Sequence, residues 1–96
     1  MRLNDFEQEM IKKAFIETFE AGKIYLFGSR VDDTARGGDI DLYLVPKTKF
    51  DDERDRKIKF LVKLDIYIGE QKIDVVMAKD ESRLIEQEAL KYGIKL

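Results

Sequence analysis

The chain has 96 residues, enough for one domain around a single core and too few for a second lobe. Its 18 basic and 20 acidic residues leave a net charge of −2, so no basic excess exists to neutralise phosphates, which argues against bulk nucleic-acid binding. It contains neither cysteine nor histidine, which removes disulfides, thiolate chemistry, the usual general base and the commonest transition-metal ligand. Any metal it binds should be oxygen-ligated, hence magnesium- or manganese-like. No signal peptide and no apolar run long enough to span a bilayer is present, so the expectation is a cytoplasmic protein without a membrane role.

Residues 4–21 carry a helical pattern. Asn4 or Asp5 can cap it, Glu7 and Glu9 suit its first turns, and Gly22 is the expected stop. Phe6, Met10 and Ala14 form its stripe, widened by Ile11 and Phe15. Ile16 and Phe19 fall outside that stripe; the broad apolar arc reads as a well-buried helix or, alternatively, as a partner-facing one. Residues 23–27 are a first strand, followed by a turn into a short helix or irregular loop to about residue 35. Residues 39–45 are a second strand, stopped by Pro46.

Asp51, Asp52 and Glu53 suit the start of a helix that runs to Ile68, with Gly69 as its stop and Ile58, Leu61, Val62, Leu64 and Ile68 as its core face. Residues 64–76 alternate locally and compete as a hairpin, but the helical spacing begins earlier, at Ile58. Residues 72–77 are a third strand. Asp80 caps a last helix to about Tyr92, with Leu84, Ile85, Glu88 and Leu90 around it and Gly93 after it. This order predicts a single α/β (α+β) domain over residues 1–96: a short mixed three-stranded sheet with helices packed on one face.

Alternation along a strand puts Asp39 and Asp41 on one side and Ile40, Leu42 and Leu44 on the other. In the third strand Ile73, Val75 and Met77 share one face, and Asp74 shares the other with Val76. All three aspartates thus lie opposite the aliphatic face. One strand aspartate alone is ordinarily a solvated residue; three on a shared face resist joint ionisation unless a cation lies between them. Gly28 and Ser29 follow a strand directly, where backbone N–H groups form an anion-binding nest. Arg30 and Arg36 are candidate triphosphate contacts, while Gly37 and Gly38 serve loop geometry.

Gly28-Ser29, nine further residues and then Asp39-Ile40-Asp41-Leu42 resemble the signature of the DNA polymerase beta-like nucleotidyltransferase superfamily. In length the chain resembles a minimal nucleotidyltransferase (MNT) domain, the small prokaryotic kind commonly paired with a HEPN-domain protein. The resemblance spans essentially the whole chain, although the loop is one residue shorter than in many members. It implies the nucleotidyltransferase fold and transfer of a nucleoside monophosphate, most often AMP from ATP, to an acceptor hydroxyl with release of pyrophosphate. It further implies two magnesium ions, with manganese as a substitute, bridged by Asp39 and Asp41. Asp74 would ligate the ion beside the nucleophile and take its proton, while Gly28, Ser29 and Arg30 would hold the nucleotide. The implied partner is a HEPN toxin in a hetero-oligomer, with this chain as the antitoxin that modifies it. Two rivals remain at this stage: a non-catalytic module that neutralises its partner by binding, and an aminoglycoside-type small-molecule nucleotidyltransferase.

Overall fold

Asn4 starts the first helix through a reciprocal capping box. Its Oδ1 accepts from the Glu7 N–H at 2.7 Å, and Glu7 Oε1 accepts from the Asn4 N–H at 3.2 Å. The computed structural model describes residues 3–28 and 39–96. They form α1 (Asp5–Phe19), β1 (Gly22–Phe27), β2 (Ile40–Pro46), α2 (Glu53–Ile68), β3 (Ile73–Met77), α3 (Leu84–Tyr92) and β4 (Ile94–Lys95). The predicted short helix or loop after Gly28 lies outside the described residues.

One mixed sheet runs in the order β3-β2-β1-β4. β1 pairs antiparallel with both β2 and β4, whereas β2 and β3 are parallel and joined through α2. The predicted mixed sheet therefore gains a fourth, two-residue strand, which Leu96 extends by donating its N–H to the Ile24 carbonyl at 2.9 Å.

Strand alternation sorts the core. Ile24, Leu26, Ile40, Leu42, Leu44 and Met77 pack with Ile11, Ala14, Phe15 and Phe19 of α1 and with Phe60 and Leu64 of α2. The opposite face carries Tyr25, Phe27, Tyr43, Val45 and Val76, packed with Ala89 of α3. Helices thus lie on both faces, and the one-face expectation is corrected: α3 roofs part of the face that carries the aspartates. Small Ala89 lets that helix approach closely over buried Tyr43 and Phe27.

Three further expectations shift. Gly22 opens β1 rather than ending α1, because a Cβ there would collide with the Val45 carbonyl; Glu20 ends the helix instead, at φ 71°. The buried stripe of α1 turns toward Ile11, Ala14, Phe15, Thr18 and Phe19, leaving Phe6 exposed. In α2, Phe60 and Leu64 face inward while Ile58, Val62 and Ile66 stand in water one turn apart. Arg56 explains that rotation: its Nη1 donates to the Thr18 carbonyl at 2.8 Å, its Nε to Asp52 Oδ1 at 2.8 Å, and its guanidinium lies 3.7 Å over the Phe50 ring. This caps the exposed end of α1 and fixes how α2 lies against it.

Candidate active site

The parallel ladder between β2 and β3 sets Asp41 directly beside Asp74. Asp39 precedes β2 and lies, by alternation, on the same side. All three carboxylates occupy the sheet face away from α1 and α2, as their sequence pattern predicts. Asp74 is exposed, and Asp39 and Asp41 are half-buried.

Burial is the largest influence on Asp41 and pushes its pKa up. The negative charges of Asp74 and Asp39 push it further, and protonated Asp41 can share its hydrogen with Asp74. Lys72 opposes them weakly. Its Nζ lies 3.4 Å from Asp39 Oδ2, so Asp39 is held by an ammonium. Among the described residues no three acidic side chains close around a common point as they stand. The donor set is nonetheless all carboxylate oxygen, and two neighbours repel each other across adjacent strands. That chemistry fits a hard divalent cation, whose charge would relieve the repulsion.

Gly28 makes room for the Asp41 carboxylate. It follows Phe27, which pairs with Asp41 across β1 and β2, and it adopts φ +75°, where side chains are disfavoured. A Cβ at this position would strike Asp41 Oδ2. Glycine here therefore lets the Asp41 carboxylate lie against the backbone at the end of β1. The other predicted loop contacts, Ser29, Arg30 and Arg36, lie outside the described residues, as do Gly37 and Gly38.

A second acidic centre lies on the same sheet face, and the sequence pattern missed it. Glu86 of α3 is fully buried, with 0% of its surface exposed. Its carboxylate accepts from the Tyr43 hydroxyl at 2.8 Å, the Lys79 N–H at 3.1 Å and the Asp80 N–H at 2.9 Å. Arg83 Nη1 lies 3.1 Å away. Burial alone would raise the Glu86 pKa, but the backbone donors, Tyr43 and Arg83 outweigh it and hold the pKa low. Tyr43 shifts the other way, because burial and the neighbouring glutamate both disfavour its phenolate. One available signal was the spacing of Glu86, Ala89 and Gly93, a narrow helical stripe of one acid and two small residues. Asp80 does not cap α3 as expected. It caps the preceding turn, accepting from the Ser82 N–H at 2.9 Å.

A cavity of about 480 Å³ borders Glu86, Tyr43, Phe50 and Lys79, beyond the far ends of β2 and β3 from the aspartates. Its one buried carboxylate is already saturated with donors. Chemistry is better placed at the aspartates, where among the described residues Lys72 meets Asp39 while Asp41 faces two like charges.

Comparison with known proteins identifies the family. The family model for "Polymerase beta, Nucleotidyltransferase" matches residues 9–96, which includes β1, β2, β3 and all three aspartates. A search of curated proteins finds no match. With the model covering nearly the whole chain, this protein belongs to the polymerase beta nucleotidyltransferase family.

Proposed function

We propose that this protein is a divalent-metal-dependent nucleotidyltransferase that moves a nucleoside monophosphate, AMP from ATP, onto a hydroxyl of a partner protein. The observation that carries the reading is the juxtaposition of Asp41 and Asp74 on neighbouring parallel strands, with Asp39 on the same face. Three carboxylates so placed are poorly served by one lysine and well served by magnesium or manganese.

In this reading Asp39, Asp41 and Asp74 hold the metal, which when bound supplies Lewis acidity at the phosphates and acidifies the attacking hydroxyl. Gly28, Ser29 and Arg30 hold the outer phosphates of the triphosphate. The acceptor oxygen attacks the α-phosphorus, the bond to the β-phosphate oxygen breaks, and pyrophosphate leaves with that electron pair. Exposed Asp74 is the group open to an incoming acceptor and takes its proton. A chain without histidine can run this step, because it asks for charge and alignment more than for a neutral base.

The acceptor class rests on exposure: Asp74 stands open on the described sheet face, where the surface of an incoming partner can reach it. A protein surface would complete the site, and a HEPN toxin, with this chain as its antitoxin, is the partner we propose. The test is incubation of the protein with magnesium, ATP and its genomic neighbour, followed by intact-mass analysis. A gain of one nucleotidyl group on the neighbour is the expected outcome. A tight complex without mass change would point instead to neutralisation by binding, and label on a small hydroxyl compound to a small-molecule transferase.

A further inference from the structure

Lys72 has no role in the scheme above, yet the fold places it with care. Its carbonyl accepts from the Ile40 N–H at 3.0 Å, so the backbone of Lys72 is pinned beside the first residue of β2. From there its Nζ reaches Asp39 Oδ2 at 3.4 Å, although the side chain is 72% exposed. Anchored backbone and exposed side chain give a tethered cation with, among the described residues, one weak ion pair. An ion pair this exposed is held loosely. Lysine presents a compact charge on a flexible four-carbon stem, suited to changing partners without backbone movement.

Resting on the nucleotidyltransferase reading of the site, we propose that Lys72 is a placeholder cation. It pairs with Asp39 while the site is empty, yields Asp39 to the divalent ion, and then pairs with the triphosphate that arrives with the metal. Charge balance dictates the exchange. An ammonium and a divalent cation repel at one carboxylate, and the doubly charged ion has the stronger attraction for three acids. The released ammonium, still tethered to the start of β3, next finds its nearest anion in the nucleotide's phosphates. Lys72 is therefore a positioning residue: it keeps Asp39 oriented before loading and contributes to nucleotide affinity afterwards.

The experiment is Mn²⁺ binding followed by electron paramagnetic resonance, with and without a non-hydrolysable ATP analogue, on the wild type, Lys72→Met, Lys72→Arg and Asp41→Asn. Lys72→Met should bind Mn²⁺ alone about two- to fivefold more tightly, the worth of an exposed ion pair. The same variant should bind the analogue about tenfold more weakly, as expected for one lost contact between charged groups. Lys72→Arg should stay near the wild type on both measures. Unchanged or weaker Mn²⁺ binding in Lys72→Met, or unchanged affinity for the analogue, would overturn the placeholder role. Failure of the underlying reading looks different: the wild type would then bind no Mn²⁺, or bind it as well as Asp41→Asn does, and both ideas would fall.

Discussion

Two acidic centres share one face of the sheet, and their environments are opposite. Around Glu86 the protein supplies a tyrosine hydroxyl, two backbone N–H groups and an arginine, so a fully buried carboxylate stays ionised with a lowered pKa. Around Asp41 it supplies two more carboxylates, and the pKa rises. Strands β2 and β3 serve both: Tyr43 lies two residues beyond Asp41, and Lys79 lies just past the end of β3. A saturated acid ties α3 to the sheet and has nothing left to offer a ligand. An unsaturated trio is a cost that folding alone does not explain. The contrast separates a charge that the fold satisfies from charges that it leaves crowded together.

The largest effect should come from breaking the unsaturated centre. Asp41→Asn should lower nucleotidyl transfer on the order of 10³-fold, because charge stabilisation at the phosphates is lost. Its metal-free stability should hold or rise, since a like-charge contact disappears. Steady-state kinetics and urea denaturation check the two halves. A variant that unfolds would make Asp41 structural and erase the contrast.

Breaking the saturated centre should do the reverse. Glu86→Ala leaves Tyr43 and two backbone donors without their shared acceptor and Arg83 without its ion-pair partner, and should destabilise the fold by about 3 kcal/mol in urea denaturation. Any loss of activity should follow from unfolding alone. A loss below about 0.5 kcal/mol, the scale of an ordinary surface change, would show that α3 is held by something else.

Gly28→Ala lies between the two. The left-handed backbone and the collision with Asp41 Oδ2 should destabilise the protein by about 1–2 kcal/mol. Activity should fall further than stability, because the carboxylate itself is displaced. Equal stability and activity to the wild type would mean that the Asp41 carboxylate shifts freely and that Gly28 does not set its place.

The smallest effect, and the one that sharpens the comparison most, is the pH dependence of stability without metal. Asp41 has a raised folded-state pKa, so its ionisation penalises the fold above that value. Stability should therefore rise as pH falls from the raised value toward the ordinary aspartate range. Glu86 has a lowered folded-state pKa, so its contribution is fully present above the ordinary glutamate value and is lost as pH falls through the lowered one. Asp41→Asn should flatten the first, mildly acidic limb, and Glu86→Gln the second, more acidic one. Urea midpoints across the acid range would reveal a swap or an absence of either limb.

Much of this contrast was legible in the residues and part was not. Period-two alternation placed Asp39 and Asp41 opposite Ile40 and Leu42, and Asp74 opposite Ile73 and Val75, because one buried face forces that pattern. The helix ending at Ile68 was likewise readable against the competing hairpin. The register that sets Asp41 beside Asp74 was not, since pairing between strands so far apart in the chain leaves no local mark. A broad apolar arc also hid which stripe of α1 faces inward, and an arginine contact decided the turn of α2. Glu86 escaped notice because a buried acid looks like any exposed one until its donors, from β2 and the β3–α3 turn, are assembled around it.

The central claim is that the three aspartates form a cation-dependent nucleotide site. Its most direct test is urea denaturation at neutral pH with and without magnesium plus a non-hydrolysable ATP analogue, comparing the wild type with Asp41→Asn. At ligand concentrations near a hundred times the dissociation constant, the wild type should gain about 2.7 kcal/mol and the variant far less. No gain in the wild type, or the same gain in both, would contradict the account.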